Sequence, residues 1–419
     1  MKKKSFIKNA GIMFFATTLT GIFNLLYQLF MVRALSPVDF GLLDKLLGLT
    51  IITTMPTGTL QAVVIKFIAS FKAEKKYSNI RAFLRLFLSK LVVVGMGILL
   101  VFVIFRSAIG AYYKTDNDLL IIIVGVLLFV STVFPLTSGA LQGLEKFKSL
   151  GTASIANSLL RFGLGVLLVK LGFSVGGALT ALIIAGVVTF LIAFIPLRKY
   201  FFFRPDSDEQ DLNESLDLRD IVKYCFPAFI ALFSFGLLTN MDLQLISPYF
   251  SVEDAGYFAV ARMIGKIILY LPGAVTIVMF PKIAAEHTQN KDTTGTLKKS
   301  LLVVGIMCCV AGAICIMFPD FMLKALAGAV YPQCIPLVMP FVISMSFYAL
   351  CSVFLYYYLS VHNMKFIYIA GVFVFVQAGL IRFFHNSLIQ VMYMVCFCAI
   401  ALFLINVLGL KKSKKARAN

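Results

Sequence analysis

The stretch MVRALSPVDFGLL, residues 31–43, separates two long apolar runs with an arginine, a Ser-Pro pair and an Asp-Phe-Gly. Pro37 cannot continue a helix, Gly41 permits a tight backbone turn, and Asp39 is placed to cap the helix that follows. The segment therefore predicts a short turn between two apolar helices. A counterpart lies some two hundred residues on, in LISPYFSVEDAGYFAV (245–260), which again carries Ser-Pro and then Asp-x-Gly. Asp39 and Gly41 correspond to Asp254 and Gly256 at an offset of 215. Pro56 and Pro272 follow at 216, and Lys146-Phe147 and Lys365-Phe366 at 219. Three matches in order at near-constant spacing predict an internal repeat.

Composition sets the class of protein. Of 419 residues, 60% are hydrophobic and 14% charged, and the mean hydropathy is +0.94. Soluble domains carry about a quarter charged residues. Apolar runs of about 20 residues recur along the chain, each able to cross a hydrocarbon core of roughly 30 Å. The expectation is an all-α polytopic membrane protein with twelve transmembrane helices, near 9–32, 42–70, 83–109, 118–142, 149–170, 176–197, 221–248, 256–285, 299–323, 332–360, 364–381 and 388–410. Interior prolines Pro56 and Pro272 predict kinks. The basic N-terminus resembles the start of a signal peptide, but its apolar run is too long for a cleaved one and reads as a retained first span.

The net charge of +19 is distributed in short segments between apolar runs, and no nucleic-acid-binding motif accompanies it. It reads as topology. Basic residues concentrate at both termini and in alternate loops, including Lys72, Lys75, Lys76, Arg81, Arg85, Lys146, Lys148, Arg198 and Lys199. The other side holds only Arg33, Arg106, Lys114, Lys170, Lys324 and Arg382. Positive residues stay in the cytoplasm, so both termini are expected to be cytoplasmic. The acidic stretch RPDSDEQDLNESLDLRD (204–220) falls at the midpoint and reads as a cytoplasmic linker. The expected organisation is an N-terminal six-helix bundle (1–203), the linker (204–220), a C-terminal six-helix bundle (221–410) and a basic tail (411–419). Six spans per half make the repeats parallel, as two pseudo-symmetric bundles about an axis along the membrane normal.

Ionisable residues at membrane depth cost roughly 2.5–3.5 kcal/mol each and mark functional positions. Lys45, Lys66, Arg161, Asp242, Arg262 and Lys266 fall inside expected spans, with Arg33 and Asp44 near helix ends. Lys90 lies close enough to a helix end to snorkel. Arg262 and Lys266, four apart, share a helix face. Asp242 neutralising Arg262 across adjacent helices is the simpler structural reading. Bases nevertheless outnumber acids at depth, which suits an anionic ligand in a watery cavity.

Other chemistries find little support. His287, His362 and His385 fall in loops or at span ends, and the eight cysteines, all between Cys225 and Cys398, lack metal-ligand spacing. No phosphate-cradling glycine loop or nucleophile elbow is present, so neither an enzyme, a metal centre nor a bound cofactor is expected.

The stretch RALSPVDFG (33–41) resembles the Arg-x-Leu-x-Pro-x-x-Phe-Gly of bacterial O-antigen and capsule repeat-unit flippases, polysaccharide exporters of the MOP superfamily. SGALQGLEKFKSLG (138–151) and the region 242–265 are similar as well, and the likeness spans essentially the whole chain. The resemblance implies alternating-access translocation of an undecaprenyl-pyrophosphate-linked oligosaccharide from the cytoplasmic to the outer leaflet of the bacterial cytoplasmic membrane. It implies that Arg33, Lys66, Arg161, Arg262 and Lys266 hold the pyrophosphate while the lipid tail stays among membrane lipids. Asp242 would serve ion coupling or charge pairing, and Asn24, Tyr27, Gln28 and Asn157 are candidates to meet the glycan. A polysaccharide polymerase and chain-length machinery are the implied protein partners. The alternatives are a multidrug or metabolite extruder, whose cationic substrates call for acidic cavity residues, and a lipid II flippase, which adds two C-terminal spans. A non-transporting membrane scaffold would leave the deep bases unexplained.

Overall fold

The computed structural model describes residues 3–54, 56–201, 218–270, 292–361 and 365–418, with isolated positions between 272 and 286. Most of the acidic linker, with His287 and His362, lies outside the described residues. All regular structure among the described residues is helical. Backbone groups that cannot reach water must bond within their own segment, and an apolar chain meets that demand as helices.

The chain divides into two compact units. Unit 1 comprises residues 1–35 and 49–223; unit 2 comprises 36–48 and 224–419. The helices of unit 1 are α1 (Lys3–Ala34), α3 (Pro56–Ala73), α4 (Tyr77–Ile104), α5 (Arg106–Tyr113), α6 (Asp118–Gly143), α7 (Phe147–Leu168), α8 (Ser174–Phe194) and the short α9 (Arg198–Phe201). Between α1 and α3 runs α2 (Pro37–Thr54), which starts in unit 2 and finishes in unit 1. Helix α10 (Leu218–Ile246) leads into α11 (Val252–Tyr270), α12 (Thr294–Met317), α13 (Pro319–Ala327), α14 (Ile335–Ser360), α15 (Lys365–Phe383) and α16 (Leu388–Ala418).

In unit 1, α7 packs on α1 and α8, and α6 packs on α3, α4 and α8. In unit 2, α14 is the central element, packed by α11, α12 and α16, and α15 packs on α16. The helices around these centres turn apolar side chains outward: Val93, Val94 and Leu100 of α4 and Leu302, Ile306 and Val310 of α12 are all exposed. Such faces are stable only against hydrocarbon. Eight described segments are long and apolar enough to cross a membrane, and this is a multi-pass membrane protein.

Two expected spans are subdivided among the described residues: 83–109 breaks at Phe105, between α4 and α5, and 299–323 at Phe318, between α12 and α13. The expected span at 42–70 is described as α2 and α3, and Met55, beside the kink expected at Pro56, lies outside the described residues. Near the end of α2, the Thr53 and Thr54 hydroxyls donate back to the Leu49 and Thr50 carbonyls at 2.8 and 2.7 Å, a bond pattern that bends helices. Residues 147–194, expected as two spans (149–170 and 176–197), form one apolar stretch too long for a single crossing, and it breaks between them at Gly172, whose φ of 92° only glycine adopts freely.

The opening turn and its repeat counterpart have the same local structure. Ser36 and Ser251 precede α2 and α11, and their Oγ atoms accept from the backbone N–H of Asp39 (3.1 Å) and Asp254 (3.0 Å). The capping residues are thus the serines, with the aspartates three positions on, as in a capping box; Asp39 is not the cap itself. Ser36 and Ser251 stand at the same offset, 215, as the glycines. Within unit 2 the two turns lie against each other at Gly41 and Gly256.

Candidate functional site

Among the described side chains, Asp44, Asp242, Arg262 and Lys266 form one cluster in unit 2, and Arg161 lies in unit 1. The first three turns of α2 bring Asp44 to α10 and α11, which carry Asp242 and Arg262 with Lys266. Arg262 is fully buried. Its Nη1 donates to Asp44 Oδ2 at 2.7 Å, its Nε to Asp242 Oδ2 at 3.1 Å, and its Nη2 to the Thr239 carbonyl at 3.2 Å. Nη2 also lies 2.9 Å from Asp242 Oδ1, an ionic contact outside hydrogen-bonding geometry. Lys266, one turn further along α11, reaches Asp44 Oδ1 at 3.4 Å. Two acids and two bases make the quartet formally neutral, which is how a charge survives in a dry interior. Asp242 therefore pairs charge with Arg262.

The same segment of α2 is fastened by its backbone. Gln244 Nε2 donates to the Lys45 carbonyl at 2.7 Å, and Gly48 leaves the room that the glutamine amide occupies.

Arg161 differs. It stands within α7 in unit 1, half-buried, with its guanidinium 4.3 Å from the ring centroid of Tyr27 on α1. Its Nε is shielded from solvent with no hydrogen-bond partner, and it has no ion pair among the described residues. Tyr27 is fully buried and its hydroxyl lies 3.4 Å from the Ala178 carbonyl of α8, which holds the ring in place beneath the cation. Nearby polar groups on these helices include the Thr20 hydroxyl, buried without a partner, and Asn157, whose amide donates to Thr189 at 3.0 Å. A half-buried cation stacked on an aromatic face, with a shielded N–H left over, is suited to an anionic oxygen.

The remaining sequence candidates are dispersed. Arg33 is exposed in the last turn of α1. Lys66 belongs to α3, and its side chain lies outside the described residues. Of the six expected site residues, the structure gathers Asp242, Arg262 and Lys266, and leaves Arg161 as a separate centre. Asp44 was visible in the sequence only as a helix-end acid, because its partners lie about 220 residues away. The stacking of Tyr27 under Arg161 had no local signal; its aromatic ring and the arginine belong to different helices.

No group of histidines, cysteines and acids able to hold a metal occurs among the described residues.

In fold, the chain resembles an inward-facing multidrug resistance MATE family transporter of the MOP superfamily, with a TM-score of 0.72 and 14% identity over 94% of this chain and 96% of that one. It resembles the lipid II flippase MurJ in its inward closed conformation equally, at 0.72 and 13% identity over 97% and 87%. An uncharacterised membrane protein of Methanocaldococcus jannaschii is 23% identical over 299 residues, covering 68% of this chain and 69% of its own length. The model of the polysaccharide biosynthesis protein family matches residues 6–287, and the chain belongs to that family.

Proposed function

We propose that the protein flips a lipid-pyrophosphate-linked oligosaccharide from the cytoplasmic to the outer leaflet by alternating access, for surface polysaccharide biosynthesis. Its setting is the bacterial cytoplasmic membrane, crossed twelve times with both termini in the cytoplasm. The carrier is undecaprenyl pyrophosphate, and a polysaccharide polymerase with its chain-length machinery takes the product. Membership of the polysaccharide biosynthesis family supports the substrate class.

The observation that carries the reading is Arg161. Its guanidinium is stacked on Tyr27, its Nε is dry and unpartnered, and no carboxylate pairs with it among the described residues. A pyrophosphate supplies the missing acceptor, and in a low-dielectric site a charge-assisted bond of this kind is strong. Arg262 and Lys266 act differently: tied into the quartet with Asp44 and Asp242, they hold the start of α2 against α10 and α11. Arg33 and Lys66 serve as further basic contacts along the route of the headgroup.

Arg161, a base at depth with no carboxylate partner among the described residues, favours this substrate over the cationic compounds of a multidrug extruder. Lipid II shares the pyrophosphate, and the glycan is what separates the two flippase readings. Binding of a lipid-pyrophosphate oligosaccharide to the purified protein, measured by native mass spectrometry, tests the assignment. Wild type should retain it and Arg161→Gln should lose about tenfold or more, the scale of one charge-assisted contact. Equal retention by both would remove Arg161 from the site.

A further inference from the structure

One end of unit 1 carries positive charge that no acid among the described residues neutralises. The turn from α6 to α7, the C-terminus of α8 and the short α9 meet there. The acids beside it are already engaged: Glu145 pairs with Lys72 at 2.8 Å, and Glu74 with Lys76 at 2.9 Å. Lys146 and Lys199 have no carboxylate partner among the described residues. Lys146 Nζ donates to the Pro196 carbonyl at 2.6 Å, which fixes the ammonium 4.9 Å from the Tyr200 ring centroid. Lys199 Nζ lies 5.0 Å from the same centroid.

The ring they share is itself held. Tyr77 packs against Tyr200 with centroids 6.4 Å apart, and the next residue, Phe201, is buried against Phe194 at 5.1 Å. Partial burial, and secondarily the Lys199 ammonium, lower the pKa of Lys146. Two cations are thus gathered on one aromatic platform, with a mutual repulsion that no carboxylate among the described residues offsets.

We infer that Lys146, Lys199 and Tyr200 form a phosphate-binding site at the membrane–water boundary. The anion is the phosphodiester of an acidic membrane lipid or a free phosphate, and the setting favours the lipid. The apolar span that includes α7 and α8 begins at Phe147 and ends at Phe194, so the lysines stand just beyond the hydrocarbon ends of their helices. Ile195, beside them, is 62% exposed and offers an acyl chain an apolar surface. Tyrosine and lysine at that depth suit a headgroup, with the ring in the interface and the ammonium groups at the phosphate. The exposed stem of Lys199 is free to close on a bound anion, while Lys146 is already set by Pro196. This site is separate from Arg161 and does not depend on the flippase reading.

The full-length protein in detergent would be titrated with phosphatidylglycerol and with phosphatidylcholine and read by native mass spectrometry, with inorganic phosphate as a competitor. Wild type should retain phosphatidylglycerol preferentially. Lys146→Gln/Lys199→Gln should weaken that retention about 30-fold, the sum of two lysines near a charged surface. Lys146→Arg/Lys199→Arg should restore it. Lys148→Gln, the removal of an exposed charge with no aromatic contact among the described residues, should leave it unchanged. If millimolar inorganic phosphate displaces the lipid or stabilises only the wild-type protein, the site takes free phosphate. Equal retention by wild type and the double glutamine variant, with no phosphate effect on either, overturns the proposal. So does an equal loss in Lys148→Gln, which would mean that overall charge alone is read.

Discussion

Gly41 and Gly256, equivalent positions of two repeats and 215 residues apart, are packed backbone to backbone: a Cβ built on Gly41 would lie 2.7 Å from the Gly256 Cα. A Cβ on Gly256 would collide with the Pro37 carbonyl. The stretch RALSPVDFG thus ends one helix and opens the next so that its turn can seat against its own counterpart. Neither obstacle is a flexible side-chain end, so neither can swing aside. Gly41→Val and Gly256→Val should each destabilise the protein by about 1–3 kcal/mol or more, as overpacking does. The thermal midpoint in detergent reads this, with Gly58→Ala, which has open space around it, as the silent control.

Removing Arg262 should be more damaging to folding than removing Arg161. Arg262→Ala leaves Asp242 without a partner in a dry interior and Asp44 with Lys266 alone, a cost of about 3–5 kcal/mol. Arg161→Gln leaves no buried acid behind. Thermal unfolding of the two variants should therefore differ clearly, with Arg161→Gln near wild type. Adding Asp242→Asn to an Arg262→Gln variant should recover part of the loss, because it removes the stranded charge.

The ring beneath Arg161 should matter through its face rather than its hydroxyl. Tyr27→Phe keeps the stack and gives up a weak 3.4 Å contact, so substrate retention should stay within about threefold of wild type. Tyr27→Leu removes the stack, and retention should fall by about 5–30-fold, the worth of a half-buried cation–π pair. Both variants should keep a monodisperse elution profile, which separates a binding effect from misfolding.

Much of the architecture could be read from the chain because lipid imposes a simple demand. Composition and apolar run length require helices, and a charge inside such a run stands out, as Arg161 and Arg262 do. The matching turns were legible because a turn built from Ser, Asp and Gly has few sequence solutions. Partnership was not legible. Arg262 and Asp44 are 218 residues apart, and only the docking of the first turns of α2 in unit 2 makes them neighbours. Counting bases against acids at depth overstated the free positive charge, because Asp44 looked like an interfacial residue.

The central claim is that a lipid-linked sugar crosses the membrane through this protein. The direct test is purified protein in liposomes with a lipid-pyrophosphate oligosaccharide confined to the inner leaflet, a membrane-impermeant glycan-modifying reagent outside, and uptake of a cationic dye followed in parallel. Sugar modified by the external reagent should accumulate with wild type, fall to the protein-free rate with Arg161→Gln, and be unaccompanied by dye movement. Dye transport without sugar movement would contradict the account and assign the carrier to cationic substrates.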